Sequence, residues 1–213
     1  MTVIAGALLG TALVAANAAA GAGPGTFLVD PVASHVRVHL GRSGLMKFLG
    51  HDHEIEVPIV EGRVEVAPGD DPARSSVEVR FDARRAAVVP GTEPAGDVPK
   101  VEERMRGPAV LDAERYPEIV FASSAAAVEA AGGERYRARV KGELTLKGRP
   151  VAIEVPVEVR LEGGGLVATG EIRLELRALG IEPPSVAGVV RVANRFSLSV
   201  EIHARPKDAP EAH

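Results

Sequence analysis

From Val151 to Leu161 every second residue is aliphatic: Val151, Ile153, Val155, Val157, Val159 and Leu161, with Glu154, Glu158 and Arg160 in the opposite phase. A period of two sends successive side chains to opposite faces of an extended chain, so one face of this segment meets a core and the other meets water. A helix would scatter the same aliphatic residues around its whole circumference.

The pattern recurs along the chain. Leu166, Ala168, Gly170, Ile172, Leu174 and Leu176 follow a glycine-rich link of hairpin length, Glu162-Gly163-Gly164-Gly165, which predicts an antiparallel neighbour for the Val151 run. Tyr136, Ala138, Val140, Leu144 and Leu146 lead into that run through Lys147-Gly148, giving a meander. Phe196, Leu198, Val200 and Ile202 alternate with Ser197, Ser199, Glu201 and His203. Upstream lie Val36, Val38 and Leu40, then Ile55, Val57 and Ile59, then Val64 and Val66, then Val77, Val79 and Phe81, with Phe121 following Ile119. These runs predict an all-β fold of about eight antiparallel strands, and runs of ten or more residues favour a barrel over a sandwich.

One segment departs from the rule. Asp97 is placed to cap a helix whose face is Val98, Val101 and Met105, with Glu102, Glu103, Arg104 and Arg106 turned to solvent and an end near Gly107-Pro108. A single short helix between strands would lie over a barrel mouth or edge.

Residues 1–22 hold an uncharged stretch of apolar and small residues, and Ala18 and Ala20 are spaced as an export cleavage site requires. No Lys or Arg precedes the apolar run, which leaves both a cleaved signal peptide and a retained N-terminal anchor open. Gly21-Ala22-Gly23-Pro24-Gly25 suits a processed linker. The expected organisation is therefore a leader or anchor over 1–22, a β-barrel domain over 23–206 and a disordered tail over 207–213, with a periplasmic or secreted location.

Composition narrows the function. Cysteine is absent, so disulfides, thiolate metal sites and thiol nucleophiles are excluded. Tryptophan is also absent, with five Phe and two Tyr, and the formal net charge is -4; this argues against stacking on bases and against a phosphate-backbone footprint, so nucleic acid is not an expected partner. The core must be aliphatic.

Several stretches together resemble the YceI family. They are Phe27-Leu28-Val29-Asp30 followed by Ser34-His35-Val36, then Glu61-Gly62-Arg63, then Val77-Glu78-Val79-Arg80-Phe81-Asp82. Further on come Tyr116-Pro117-Glu118-Ile119-Val120-Phe121 with Ser123, and Gly142-Glu143-Leu144-Thr145-Leu146-Lys147-Gly148; these last two are the most specific. The stretch from Leu45 to His53 differs from the family's common form, and Val110-Leu111-Asp112 replaces its usual Asp and Phe pair, which marks a divergent subgroup. The resemblance implies a lipocalin-like barrel in a periplasmic protein, non-enzymatic and without a cofactor, holding a long apolar molecule such as a polyisoprenoid or fatty-acid derivative.

An eight-stranded barrel is just wide enough to be filled by its own side chains or to hold one slender ligand, and a lining of Val, Ala and Gly leaves room for the second. The ligand-binding candidates are Val38, Leu45, Phe48, Phe81, Met105, Phe121 and Leu174. The expected partner is an apolar-tailed lipid, with transient membrane contact, and the oligomeric state is open, a homodimer included. A structural domain with a filled core is one alternative.

A metal or redox accessory role is the other. In extended chain His51 and His53 share a face about 7 Å apart at Cα, close enough to hold one ion together, whereas Asp52 would point away and a further ligand is needed. His35 and His39 stand about 13 Å apart on one strand, too far to share an ion. Gly41-Arg42-Ser43-Gly44 lacks a nucleophile elbow, so Ser43, His51 and Asp52 are residue types without a hydrolase's spacing, and no phosphate-cradling glycine loop occurs.

Overall fold

A computed structural model describes residues 25–43, 53–67, 74–186 and 190–209. The chain runs through β1 (Gly25–Val29), β2 (His35–Ser43), β3 (His53–Glu56), β4 (Ile59–Val66), β5 (Ser76–Asp82), β6 (Ala87–Val88), α1 (Val98–Arg106), β7 (Glu118–Gly132), β8 (Arg135–Leu146), β9 (Arg149–Glu162), β10 (Gly165–Glu175), β11 (Ser185–Val186) and β12 (Val190–Pro206). All pairings are antiparallel, and β1 closes the sheet by pairing with both β4 and β12.

The ring holds eight staves because three of them are strands broken midway. β1 and β2 lie end to end along β12, with Val29 opposite Ala204 and His35 opposite Glu201. β3 and β4 form the second stave, and β5 and β6 the third, since β2 pairs with β3, β3 with β6, and β4 with β5. β7, β8, β9, β10 and β12 complete the closed antiparallel barrel.

Each break has a local cause. In the first, Asp30 Oδ1 accepts the N–H groups of Val32 at 2.9 Å and Ala33 at 3.1 Å, so a turn replaces extended chain. Ser34, buried, carries the ladder across the gap: its hydroxyl accepts from the His203 N–H at 2.9 Å and lies 3.3 Å from the His203 carbonyl. In the second, Pro58 has no N–H to give, and Val57 N–H turns to the Val36 carbonyl at 3.0 Å. The run through Ile55, Val57 and Ile59, expected as one strand, is thus interrupted while its alternation survives. In the third, Asp82 caps a short 3₁₀ turn over Ala83–Arg85 by accepting from Arg84 N–H at 3.0 Å.

The interior follows the alternation. Val36, Ile55, Val79, Phe81, Val140, Val155, Leu161, Leu166 and Phe196 are all buried on the inward faces. β7 holds a phase change: a register shift between Ser123 and Ala125 turns the inward series from Ile119 and Phe121 to Ala126, Val128 and Ala130. Gly142 sits opposite this bulge, where a Cβ would stand 2.4 Å from the Ala122 carbonyl oxygen and 2.8 Å from the Phe121 ring. Only glycine fits there. At the far end of β8 the turn through Lys147 and Gly148 has positive φ at both residues, and the Tyr116 ring lies against Gly148.

Asp30 and Asp82 are both held below the ordinary carboxylate range, Asp30 chiefly by the Ala33 and Val32 N–H groups and Asp82 chiefly by the Arg84 guanidinium. A carboxyl depressed on folding stabilises the fold above its unfolded value of about 3.9, and that contribution disappears as pH falls through the lower folded value. The double variant Asp30→Ala, Asp82→Ala should therefore lower the urea midpoint at neutral pH, each loss worth about 1 kcal/mol or less. The gap to wild type should close as pH falls below about 4; a gap of equal size in acid would show that the strand breaks do not rely on charged carboxyls.

Candidate functional site

The barrel encloses a cavity of about 850 Å³, within the range of pockets that take drug-sized or lipid-sized ligands. All eight staves contribute to its wall, from Val38 on β2 and Val64 on β4 through Val155 on β9 to Val200 on β12. The barrel interior is therefore not solid. Among the described lining residues only Ser75 and Tyr136 carry a hydroxyl, and none carries a charge.

Two segments crowd one end of the barrel. The stretch 107–117 follows α1 and brings Ala113 into the core with Ile119 and Leu146, while the stretch after β10 inserts Leu176, Leu179 and Ile181, all buried. Gly180, at φ +76, makes that second crossing possible and lies beside the Arg149 guanidinium. Lys147 Nζ reaches the Pro108 carbonyl at 3.0 Å, tying the β8–β9 turn to the first crossing. The opposite end is where β7 and β8 meet, and there Ala130 both lines the cavity and is exposed.

Helix α1 lies beside the short strand β6 with Val98, Val101 and Met105 packed on Ile55, Ala86 and Val88, the face its spacing predicts. Two parts of the sequence expectation are corrected. Asp97 stands at the N-cap without a side-chain capping bond; its backbone carbonyl instead accepts from Lys100 and Val101. Glu102 and Arg106 are not simply solvated. The Glu102 carboxylate accepts the Val88 N–H at 3.1 Å and the Arg106 guanidinium at 2.5 Å, while Arg106 Nε donates to the Ala86 carbonyl at 3.0 Å. These side chains give β6, a two-residue strand, the partners that a further strand would have supplied. Glu103 and Arg104 do face solvent.

Of the ligand-lining candidates, Val38, Phe81, Met105, Phe121 and Leu174 all line the cavity. Leu45, Phe48 and His51 lie outside the described residues, as does Asp52, and the Ser43 side chain is likewise not described. His53 is bonded through Nδ1 to the Glu93 carboxylate, whose side chain is only 1% exposed. His35 bonds Glu56 at 2.6 Å, and His39 lies 3.2 Å from the Ser199 hydroxyl. Both belong to the phase of β2 opposite Val36 and Val38, away from the cavity. Among the described residues no three His, Asp or Glu side chains gather as metal ligands.

Sequence reasoning missed Tyr136 as a polar lining group and the inward series Ala126, Val128 and Ala130. Tyr136 was legible from its place at the head of the alternating run Tyr136, Ala138, Val140. The β7 series was hidden because alanine gives little strand signal and the bulge reverses the phase.

An antiparallel eight-stave barrel with an apolar interior chamber defines the class of lipocalin-like binding folds. The YceI-like domain model matches residues 27–204, and the chain belongs to that family. Among solved structures, Burkholderia cenocepacia BcnA is similar with 23% identity and a TM-score of 0.61, over 82% of this chain and 98% of that one. A polyisoprenoid binding domain from Saccharophagus degradans, implicated in plant cell wall breakdown, aligns with 13% identity and a TM-score of 0.57, over 86% of this chain and 99% of that one. At these identities the likeness is one of fold. No curated protein matches the chain.

The contacts of α1 give a direct test. Glu102→Ala removes the acceptor of a half-buried backbone N–H and a partner of Arg106, so stability to urea should fall by about 1–3 kcal/mol. Hydrogen exchange at the Val88 amide should accelerate while amides of the β8–β9 ladder keep their protection. Uniform acceleration throughout the barrel would mean that Glu102 supports the whole fold and not the β6 edge.

Proposed function

We propose that the protein is an exported carrier that holds one long-chain lipid, a polyisoprenoid or fatty-acid derivative, inside its barrel. The observation that carries this reading is the cavity itself: about 850 Å³ of space walled mainly by aliphatic side chains and free of charge among the described lining residues. Such a chamber selects for hydrocarbon. Each CH₂ moved from water into it contributes about 0.8 kcal/mol before ordering costs, so a tail of modest length supports useful affinity.

Family membership and the likeness to a polyisoprenoid binding domain support the same ligand class. The uncharged apolar stretch within 1–22, read as a signal peptide or an N-terminal anchor, favours a periplasmic or secreted location, where a water-insoluble lipid needs a protein to move between membranes. A transient membrane contact for loading belongs to this proposal. Carriage itself requires no bond-making chemistry.

Native mass spectrometry of protein purified from a bacterial periplasm should show a bound lipid that organic extraction releases. Ala168 faces the cavity, so Ala168→Phe fills part of it without disturbing the ladder. Displacing only two CH₂ groups of a tail corresponds to a loss of about tenfold in affinity. The variant should therefore retain less lipid, while after delipidation it melts no lower than delipidated wild type. Apo mass alone from wild type, with no lipid in the extract, would overturn the carrier reading.

A further inference from the structure

The cavity is not polar at both ends. Its described wall carries hydroxyls only at Ser75, which immediately precedes β5, and at Tyr136, the second residue of β8. Because β7 and β8 are joined by the turn at Gly133-Glu134, and β4 and β5 by the loop that Ser75 ends, both hydroxyls stand at the same end of the barrel. That is the end where Ala130 is exposed, and Ala130 is the register partner of Tyr136. The other end is crossed by 107–117 and by Leu176, Leu179 and Ile181.

The two hydroxyls are in different states. Ser75 Oγ accepts the Ala67 N–H at 3.1 Å and so pins the base of its loop. Tyr136 is half-buried with its ring in the wall, and its hydroxyl bonds no described residue. A phenol at one end of an apolar chamber, bonded to no described residue, is a hydrogen-bond donor that water or a ligand can satisfy.

We propose that Tyr136 is the headgroup anchor of the barrel, donating its hydroxyl to a neutral oxygen acceptor of the lipid, a carbonyl or alcohol, while the tail runs toward α1 and the crossed end. This rests on the carrier reading and adds to it a ligand polarity and a direction. The absence of any charged side chain from the described wall sets the class of headgroup. An ionised phosphate drawn inside would lose its hydration without gaining a cation, whereas an uncharged oxygen needs one donor only. Tyr136 supplies that donor.

The sequence provides its own probe, because Tyr116 and Tyr136 are its two tyrosines and tryptophan is absent. In the Tyr116→Phe background, where Tyr136 is the sole emitter, a fatty alcohol brominated next to its hydroxyl should quench the tyrosine fluorescence strongly. The same alcohol brominated at its tail terminus should quench weakly. The reverse order would overturn the proposed direction.

Affinity gives the second readout. Displacement of an environment-sensitive fluorophore by a long-chain alcohol, by the alkane of equal length and by the alkyl phosphate of equal length should rank the alcohol first in wild type. Tyr136→Phe keeps the ring in the wall and should weaken the alcohol by about fivefold while leaving the alkane unchanged. Equal alcohol affinity in wild type and variant, with the fluorophore still bound, sinks the anchor and spares the carrier. An alkyl phosphate that outranks the alcohol sinks the neutral headgroup. A fluorophore that none of the three displaces from wild type, together with a barren lipid extract, sinks the carrier reading beneath both.

Discussion

Three register pairs near the chain's ends, Phe27 with Pro206, Leu28 with Arg205 and Val29 with Ala204, turn a sheet into a cylinder. Without them the sheet would have a free edge at β1 and another along the C-terminal part of β12, each a row of unpaired backbone groups. Closure gives β1 neighbours on both sides, since it also pairs with β4. The same closure gives the inward faces a common interior, so what fills that interior depends on side-chain size alone. Phe27 and Val29 are themselves buried, which makes the joint part of the core as well as of the ladder.

The interior stays hollow because its wall is built from short aliphatic side chains. Aromatic side chains among the described lining residues are few: Phe81 on β5, Phe121 on β7, Tyr136 on β8 and Phe196 on β12. The remainder of the wall is mainly Val, Leu, Ile and Ala, with glycine at Gly62, Gly142 and Gly170 where neighbouring chains press close. At Gly62 a Cβ would come within 2.7 Å of the Val29 side chain, and at Gly170 within 2.3 Å of the Pro156 carbonyl oxygen. Glycine therefore lets the wall bend tightly at points while the middle remains open. The interrupted staves act in the same direction, since they carry β2, β3 and β6 toward α1, whose Glu102 and Arg106 satisfy the β6 backbone.

Strands whose alternation is uninterrupted were legible in the sequence almost residue by residue. β8, β9 and β10 follow the predicted meander, with the links at Lys147-Gly148 and Gly163-Gly164. What could not be read was where alternation is carried by weak strand formers or broken by a bulge: β7 runs for fifteen residues, yet only Ile119 and Phe121 announced it. The helix face was correct because apolar spacing determines it, but the roles of Glu102 and Arg106 depend on an unpaired strand edge that only the folded chain creates. The cavity candidates on described strands point inward because a period of two leaves only two faces to choose between. Which residues stand at which end of the cavity was invisible for a related reason: alternation tells inside from outside and says nothing of position along the barrel axis. Tyr136 stood in plain view, and its meaning came from the crossing of the opposite end by Leu176, Leu179 and Ile181.

An apolar chamber of this size is uncomfortable when empty. Water inside would find two hydroxyls in the described wall, one of them already accepting from Ala67, whereas a buried water usually makes about three hydrogen bonds. A dry void loses dispersion contacts on every lining side chain. Either state leaves the free barrel with a cost that a hydrocarbon chain removes, so occupancy and stability are linked and the loaded barrel resists unfolding by a margin that grows with ligand concentration. The crossed end and the α1 dock are held by packing and hydrogen bonds within the chain itself. A barrel that relied on its contents for these parts of its core could not keep its fold with the chamber empty.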